Sequence, residues 1–153
     1  MFSIRKAKYC DLYHIQKINT ENLPENYTMA YYLYHRMQYP NINFVATVEN
    51  KIVGYVLCKL EINEKIYEGN ITSICINSEY KGQGIGTRLM KEALQEMKYV
   101  SGQDDLTVYL NVRVTNTPAI EFYKKKFKFE IVKLIEKYYF NKEDAYRMKT
   151  NVK

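Results

Sequence analysis

Residues 80–89 read YKGQGIGTRL, with Gly82, Gly84 and Gly86 at alternate positions. Before them runs a β-like segment, ITSICIN (Ile71–Asn77), and after them a helical pattern begins at Gly84 and extends to Val100. In that helix Leu89, Ala93 and Met97 share one stripe, with Met90 and Leu94 beside it. Glycines at such a strand-to-helix junction let the chain turn without Cβ clashes and leave backbone N–H groups pointing outward at a helix N-terminus. This is an anion cradle, to which Lys81 and Arg88 can add positive charge. A Walker A loop would need Gly-Lys-Ser/Thr, whereas Gly86 is followed by Thr87 and Arg88; a dinucleotide fingerprint would need G-x-G-x-x-G, whereas the spacing here is G-x-G-x-G. A phosphate or pyrophosphate site and an ordinary glycine-rich turn both fit the segment taken alone.

Working outward, FSIRKA reads as a first strand and Tyr9–Asn22 as a first helix, with Leu12, Ile15 and Ile18 on its apolar stripe and the polar Asn19 at the stripe's edge. Asp11 suits the positive end of that helix, and Pro24 ends it. Thr28 is the expected N-cap of a second helix, Met29–Gln38, stopped by Pro40. INFVATVEN and KIVGYVLCKLEI form a hairpin turning at Glu49-Asn50-Lys51, and YEGNITSICIN is a third long strand. After the glycine turn come the strand DLTVYLNV, a short helix NTPAIEFYKKKF opening at Asn116, and two closing strands, FEIVKLI and DAYRMKT. The order β-α-α-β-β-β-α-β-α-β-β predicts an α/β sheet with helices on its faces. With no repeat, linker or low-complexity stretch, residues 1–153 read as a single domain.

Composition narrows the function classes. The chain has 153 residues, 46% hydrophobic and 26% charged, within the globular range, so disorder is not indicated. No apolar run approaches the roughly 20 residues of a membrane span, and the N-terminal MFSIRKAKYCDL lacks the apolar stretch of a secretion signal. Three cysteines, Cys10, Cys58 and Cys75, without C-x-x-C spacing argue against a disulfide framework or a metal site. Cys58 and Cys75 sit in apolar strands and read as small buried thiols, which points to a reducing, cytoplasmic setting. The net charge of +6 is spread along the chain rather than blocked, so a solvated basic surface is favoured over a sequence-specific nucleic-acid site. The 16 tyrosines concentrate in YTMAYYLYHRMQYP and EKYYFNKEDAYRM, where an apolar ring with a polar tip suits either a core edge or a groove for an extended chain. His14 and His35 fall in helical stretches and read as structural.

The run from ITSICIN through YKGQGIGTRLM resembles the acetyl-CoA-binding segment of the GNAT acyltransferases, whose pattern is Arg/Gln-x-x-Gly-x-Gly/Ala; Lys81, Gly84 and Gly86 stand at those positions, and Lys81 is a departure. NTPAIEFYKKKFKF is similar to a second family segment, with Asn116, Ala119 and Tyr123 in place and Lys128 where glycine is usual. LPENY (Leu23–Tyr27), GNITSI and KYYFNKEDAYRMK extend the resemblance, over nearly the whole chain, to catalytic subunits of N-terminal acetyltransferases of the NatA kind. The resemblance implies a GNAT fold, a mixed, mostly antiparallel sheet of about seven strands flanked by four helices. It implies acetyl-CoA as cosubstrate, held by Ile74, Cys75, Ile76, Lys81, Gly82, Gly84, Ile85, Gly86, Thr87 and Asn116, with no metal. It further implies, as acceptor, the α-amine of a nascent chain starting with Ser, Ala, Thr, Gly or an acidic residue, and a helical auxiliary subunit that anchors the enzyme to ribosomes.

The chemistry sets its own demands. An α-amine titrates near 7.7 to 8.0 and must lose a proton before attacking a thioester. Glu25, in the loop between the first two helices, is the leading candidate base, and an ordinary loop carboxylate is the alternative. Backbone N–H groups near Ile74–Ile76 would face the developing oxyanion, and Tyr123 would protonate the leaving thiolate, unless it is a core tyrosine. Leu23, Pro24 and Tyr27 would line the acceptor groove, with Tyr138 and Tyr139 opposite unless these are strand-edge aromatics. Arg113 would orient a carboxylate or a substrate carbonyl, with a paired surface arginine as the alternative. Related N-terminal acetyltransferases carry a histidine on the fifth strand where this chain has Asn111, so no base can stand there. Two further functions stay open: an acetyltransferase for another acceptor (a ribosomal-protein N-terminus, a Met-initiated peptide or a protein lysine) and an acetyl-CoA-binding protein without turnover.

Overall fold

The computed structural model describes residues 1–153. Seven strands, β1 (Ser3–Lys6), β2 (Phe44–Val48), β3 (Lys51–Asn63), β4 (Ile66–Ile76), β5 (Leu106–Arg113), β6 (Glu130–Ile135) and β7 (Ala145–Val152), form one sheet in the order β1-β2-β3-β4-β5-β7-β6. Only β4 and β5 pair in parallel; all other neighbours are antiparallel. Four helices flank it: α1 (Leu12–Asn22), α2 (Met29–Gln38), α3 (Ile85–Ser101) and α4 (Thr117–Phe127).

The β2–β3 hairpin turns at Glu49 and Asn50, with φ of 50° and 67°, the left-handed pair of a type I′ connection. Thr28 caps α2 by accepting the N–H of Tyr31 at 3.3 Å. The chain from Tyr9 departs from the sequence reading: residues 9–11 form a 3-10 turn, and α1 starts at Leu12. Asp11 does not face the helix dipole freely; it is buried, gripped by Arg5 Nη1 at 2.6 Å and Nη2 at 2.9 Å, and accepts the Lys8 N–H at 2.7 Å.

Two cores sandwich the sheet. On one face α3 and α4 cover Ile71, Val56, Val108, Leu110 and Val112. On the other, α1 and α2 cover Val45, Tyr55, Leu57 and Cys75. Cys58 and Cys75 are buried and unpaired, as expected from their runs, and Cys10 is exposed.

One irregularity positions the site. In the β3–β4 ladder Leu57 opposes Ser73 and Cys58 opposes Ile71, so Thr72 is an extra residue, a bulge. Side chains alternate along a strand, and one inserted residue reverses the alternation. Ile71 and, past the bulge, Ile74 and Ile76 therefore all pack toward the α3 core, while Cys75 turns toward α1. At the same place the β4–β5 pairing stops: it runs from Glu68↔Thr107 to Ile71↔Leu110, although β4 continues to Ile76 and β5 to Arg113. The two strands diverge there, and the sheet opens in a wedge.

Candidate active site

At the wide end of the wedge, Gly82 and Gly84 take φ of 80° and 85°, conformations costly for any residue with a Cβ. A Cβ built on either would meet nothing within 4 Å, so the turn opens outward. Gly84 is the N-cap of α3, and the first-turn N–H groups of Ile85, Gly86 and Thr87 have no intrahelical acceptor. They form a concave donor surface at the positive end of a 17-residue helix, which fits a pyrophosphate. Lys81 and Arg88 are exposed beside it, with Arg88 3.8 Å from Glu92. The Ile85 side chain is core, so only its backbone faces the turn.

Within the wedge, the Asn77 N–H bonds to Val53 O on β3. Backbone groups alternate sides along a strand, so Cys75 also points its backbone at β3, and Ile74 and Ile76 turn theirs to the open side. Cys75, expected at the donor site, is thereby directed away from it in backbone and side chain alike. Facing Ile74 across the gap, Tyr123 projects from α4, whose N-cap Asn116 accepts the Ala119 N–H at 3.3 Å. Burial pushes the Tyr123 phenol up to about 12, so it stays protonated and keeps its O–H as a hydrogen-bond donor.

On the α1–α2 side the LPENY loop and the β6–β7 loop close over β5. Arg113 is the hinge of this arrangement. Its Nε bonds to Glu25 Oε1, its Nη1 bonds to Glu143 Oε2 at 2.5 Å and Asn141 Oδ1 at 3.0 Å, and its guanidinium lies 4.0 Å over the Tyr139 ring. The planar fork thus fixes both loops at once. Glu25 Oε2 carries no hydrogen bond within the chain. Burial, then the charges of Tyr31, Tyr138 and Glu25, push Tyr27 up to about 12; burial first, then Glu25, raises Tyr139 further. Asn111 donates to the Tyr138 hydroxyl at 3.1 Å and accepts from Arg147 at 3.4 Å, so it holds the loop tyrosine rather than a proton.

One cavity of about 340 Å³ joins the Arg113 cluster to Tyr123. Leu23, Pro24, Glu25, Tyr27, Arg113, Tyr138 and Tyr139 line it, and so do Ile74, Asn116 and Tyr123. The glycine turn, Ile76 and Cys75 lie outside that lining.

Sequence reasoning missed the buried frame behind the loop. Asn19 is not at the edge of the α1 stripe but fully buried. Its amide donates to Glu25 O at 2.9 Å and to the Tyr55 hydroxyl at 3.0 Å, and that hydroxyl pairs with Ser73 Oγ at 2.8 Å. The loop carrying Glu25 is thus tied to β4 beside the bulge. A polar residue one position past Ile18 on the apolar stripe was the available signal. Glu143 and Asn141 were also missed; they sit in an irregular loop that periodicity does not describe.

The acetyltransferase (GNAT) family profile matches residues 12–129. The catalytic subunit ard1 of the N-terminal acetyltransferase A complex of Schizosaccharomyces pombe is 40% identical over 148 residues, covering 95% of this chain and 82% of that protein. An N-alpha-acetyltransferase of Sulfolobus acidocaldarius is 39% identical over 155 residues, covering 96% and 90%. Arabidopsis thaliana Naa50, solved in complex with the bisubstrate analogue CoA-Ac-MVNAL, superposes with a TM-score of 0.85 at 29% identity and 97% coverage of both chains. The seven-stranded mixed sheet split beside β4, the glycine turn capping α3 and these likenesses together make the chain a member of the GNAT acetyltransferase family.

Proposed function

We propose that this protein transfers the acetyl group of acetyl-CoA to the α-amine of protein N-termini, by direct attack with donor and acceptor bound together. The observation that carries the reading is the continuity of the cavity: the Glu25–Arg113–Tyr139 cluster on one face of the sheet and Tyr123 on the other meet through the gap between β4 and β5. In this reading the cosubstrate's pyrophosphate rests on the N–H groups after Gly84, and its thioester lies along Ile74 and Ile76.

The amine nitrogen attacks the thioester carbonyl, and its proton passes to Glu25 Oε2, directly or through one water. The Ile74 and Ile76 N–H groups on the open strand edge supply donors where oxyanion charge develops. As the C–S bond breaks, the electron pair stays on sulfur. Full transfer of a proton from a phenol at about 12 to a thiolate whose acid titrates near 8.5 is uphill by about 5 kcal/mol. Tyr123 therefore acts as a hydrogen-bond donor that stabilises the thiolate, which takes its proton from solvent on release. This sharpens the sequence expectation, which had Tyr123 protonate the thiolate outright.

Leu23, Pro24, Tyr27, Tyr138 and Tyr139 crowd the acceptor end with rings and loops, which supports a small or acidic first residue (Ser, Ala, Thr, Gly, Asp or Glu) on an extended chain over a lysine projecting from a folded surface. The two relatives, an N-terminal acetyltransferase subunit and an N-alpha-acetyltransferase, support an N-terminal α-amine as the acceptor. Exposed Leu33, Tyr34 and Met37 on the outer side of α2 support docking of a helical auxiliary subunit that brings the enzyme to ribosomes in the cytoplasm; no helix is long and apolar enough to cross a membrane. The test is a peptide panel varied at the first two residues, incubated with acetyl-CoA and read by mass spectrometry. Turnover confined to free N-termini supports the reading. Equal turnover of N-blocked lysine peptides, or none with any peptide, overturns it.

A further inference from the structure

We propose that Lys59 forms a charge-reading subsite that selects an acidic side chain at the second to fourth residue of the acceptor, a specificity that rests on the N-terminal acceptor reading above. Lys59 lies on β3, lines the same cavity as Glu25 and Arg113, and is half-buried. The other cation lining that cavity is already paired. Arg113 is neutralised by Glu25 and Glu143, and Glu61 Oε1 accepts the Asn70 amide at 2.9 Å. Lys59 alone has no carboxylate oxygen within 4.0 Å; its ammonium rests 5.6 Å over the Tyr31 ring. His35 behind it is fully buried and held neutral, its imidazole pushed down to about 4 by burial and then by Lys59 itself.

The Lys59 ammonium is thus an unpaired positive charge on the cavity wall. A carboxylate arriving with a ligand would complete the site, and the aromatic face already lowers the cost of holding the cation there.

The register gives the reach. Lys59 opposes Asn70 on β4, four positions before Ile74, or about 13 Å of strand. An extended acceptor whose amine sits in the wedge passes over that row with its second to fourth residues, once the length of the lysine stem is allowed for.

The experiment compares peptides identical except for Asp or Asn at position 2, 3 or 4, using the intact protein and acetyl-CoA at low ionic strength. The expected result is a kcat/KM ratio of Asp to Asn of roughly five to ten at one of these positions, declining with added salt. In Lys59→Met that ratio falls to about one, Lys59→Arg restores part of it, and Lys59→Glu reverses it in favour of a lysine at the same position. A ratio near one in the wild type, or a ratio unchanged in Lys59→Met, overturns the subsite while N-terminal acetylation stands. Absence of turnover with every peptide removes the acceptor reading and the subsite with it.

Discussion

Gly84→Ala separates the folding role of the glycine turn from its binding role. Gly84 holds φ 85° and ψ 6° as the N-cap of α3, and a Cβ there meets nothing within 4 Å. The substitution therefore creates no clash, and its whole cost is the left-handed backbone of a residue with a side chain, about 1–2 kcal/mol. For a chain of this size that lowers Tm by about 2–8 °C, measured by differential scanning calorimetry without ligand. Relaxing the strain rotates the N–H groups that open α3, so the acetyl-CoA KM rises, by roughly tenfold if one charge-assisted hydrogen bond is lost. Gly86→Ala is the internal control for stability. Gly86 lies inside α3 at ordinary φ, and its Cβ would touch Phe122 Cζ at 3.8 Å and Ile76 Cγ1 at 3.9 Å, both ordinary contacts. Alanine there raises stability by about 0.5–1 kcal/mol. Equal Tm changes in the two variants, or a Gly84→Ala protein with unaltered acetyl-CoA KM, would refute the assignment of the turn as a cradle.

Lys128 caps the C-terminus of α4 in the same left-handed region, at φ 57°. Lys128→Gly is expected to stabilise the protein by about 0.5–1 kcal/mol, seen as a higher midpoint in urea with an unchanged m-value. Tyr55→Phe removes the hydroxyl between Asn19 and Ser73 and should cost about 1–2 kcal/mol; because Asn19 steers Glu25, kcat should fall while the acetyl-CoA KM holds, and a pure stability loss would count against that steering. Tyr123→Phe should lower kcat by roughly tenfold to a hundredfold without removing a limb from the pH–rate profile below pH 10, since a phenol near 12 does not titrate there. His35 is depressed to about 4, below its ordinary value of about 6.5. Its contribution to stability is therefore complete above pH 6.5 and is lost as the pH falls toward 4, a loss of about 3 kcal/mol. In His35→Phe, urea midpoints should fall less steeply across that window, and parallel curves for the two proteins would dismiss the effect.

Much of the fold was legible because its signals are local. Glu49-Asn50, Thr28 and the α3 stripe each act within a few residues, through backbone conformation, one side-chain cap or helical period. The candidate site was legible mainly through family resemblance; spacing alone left the glycine turn open between a cradle and a plain connection. The errors also share a cause. Asn19 looked like a stripe edge because a helical pattern shows which face a residue occupies but not which polar group waits for it there. Cys75 was placed at the donor site by resemblance, which carries no strand register, whereas the bulge at Thr72 sets which backbone groups face the opening.

By itself, then, the sequence determined the order of strands and helices, the glycine turn at the head of α3 and a chain without metal-ligand spacing, since each follows from dihedral preference, periodicity or residue chemistry over short distances. Only the tertiary structure decided that Glu25 meets Arg113 across 88 residues, that β4 and β5 part after Ile71 and Leu110, and that Lys59 stands in the cavity lining without an ion-pair partner. Those outcomes depend on register, where one inserted residue reverses every side chain beyond it, and on loops brought together by packing of elements remote in the chain.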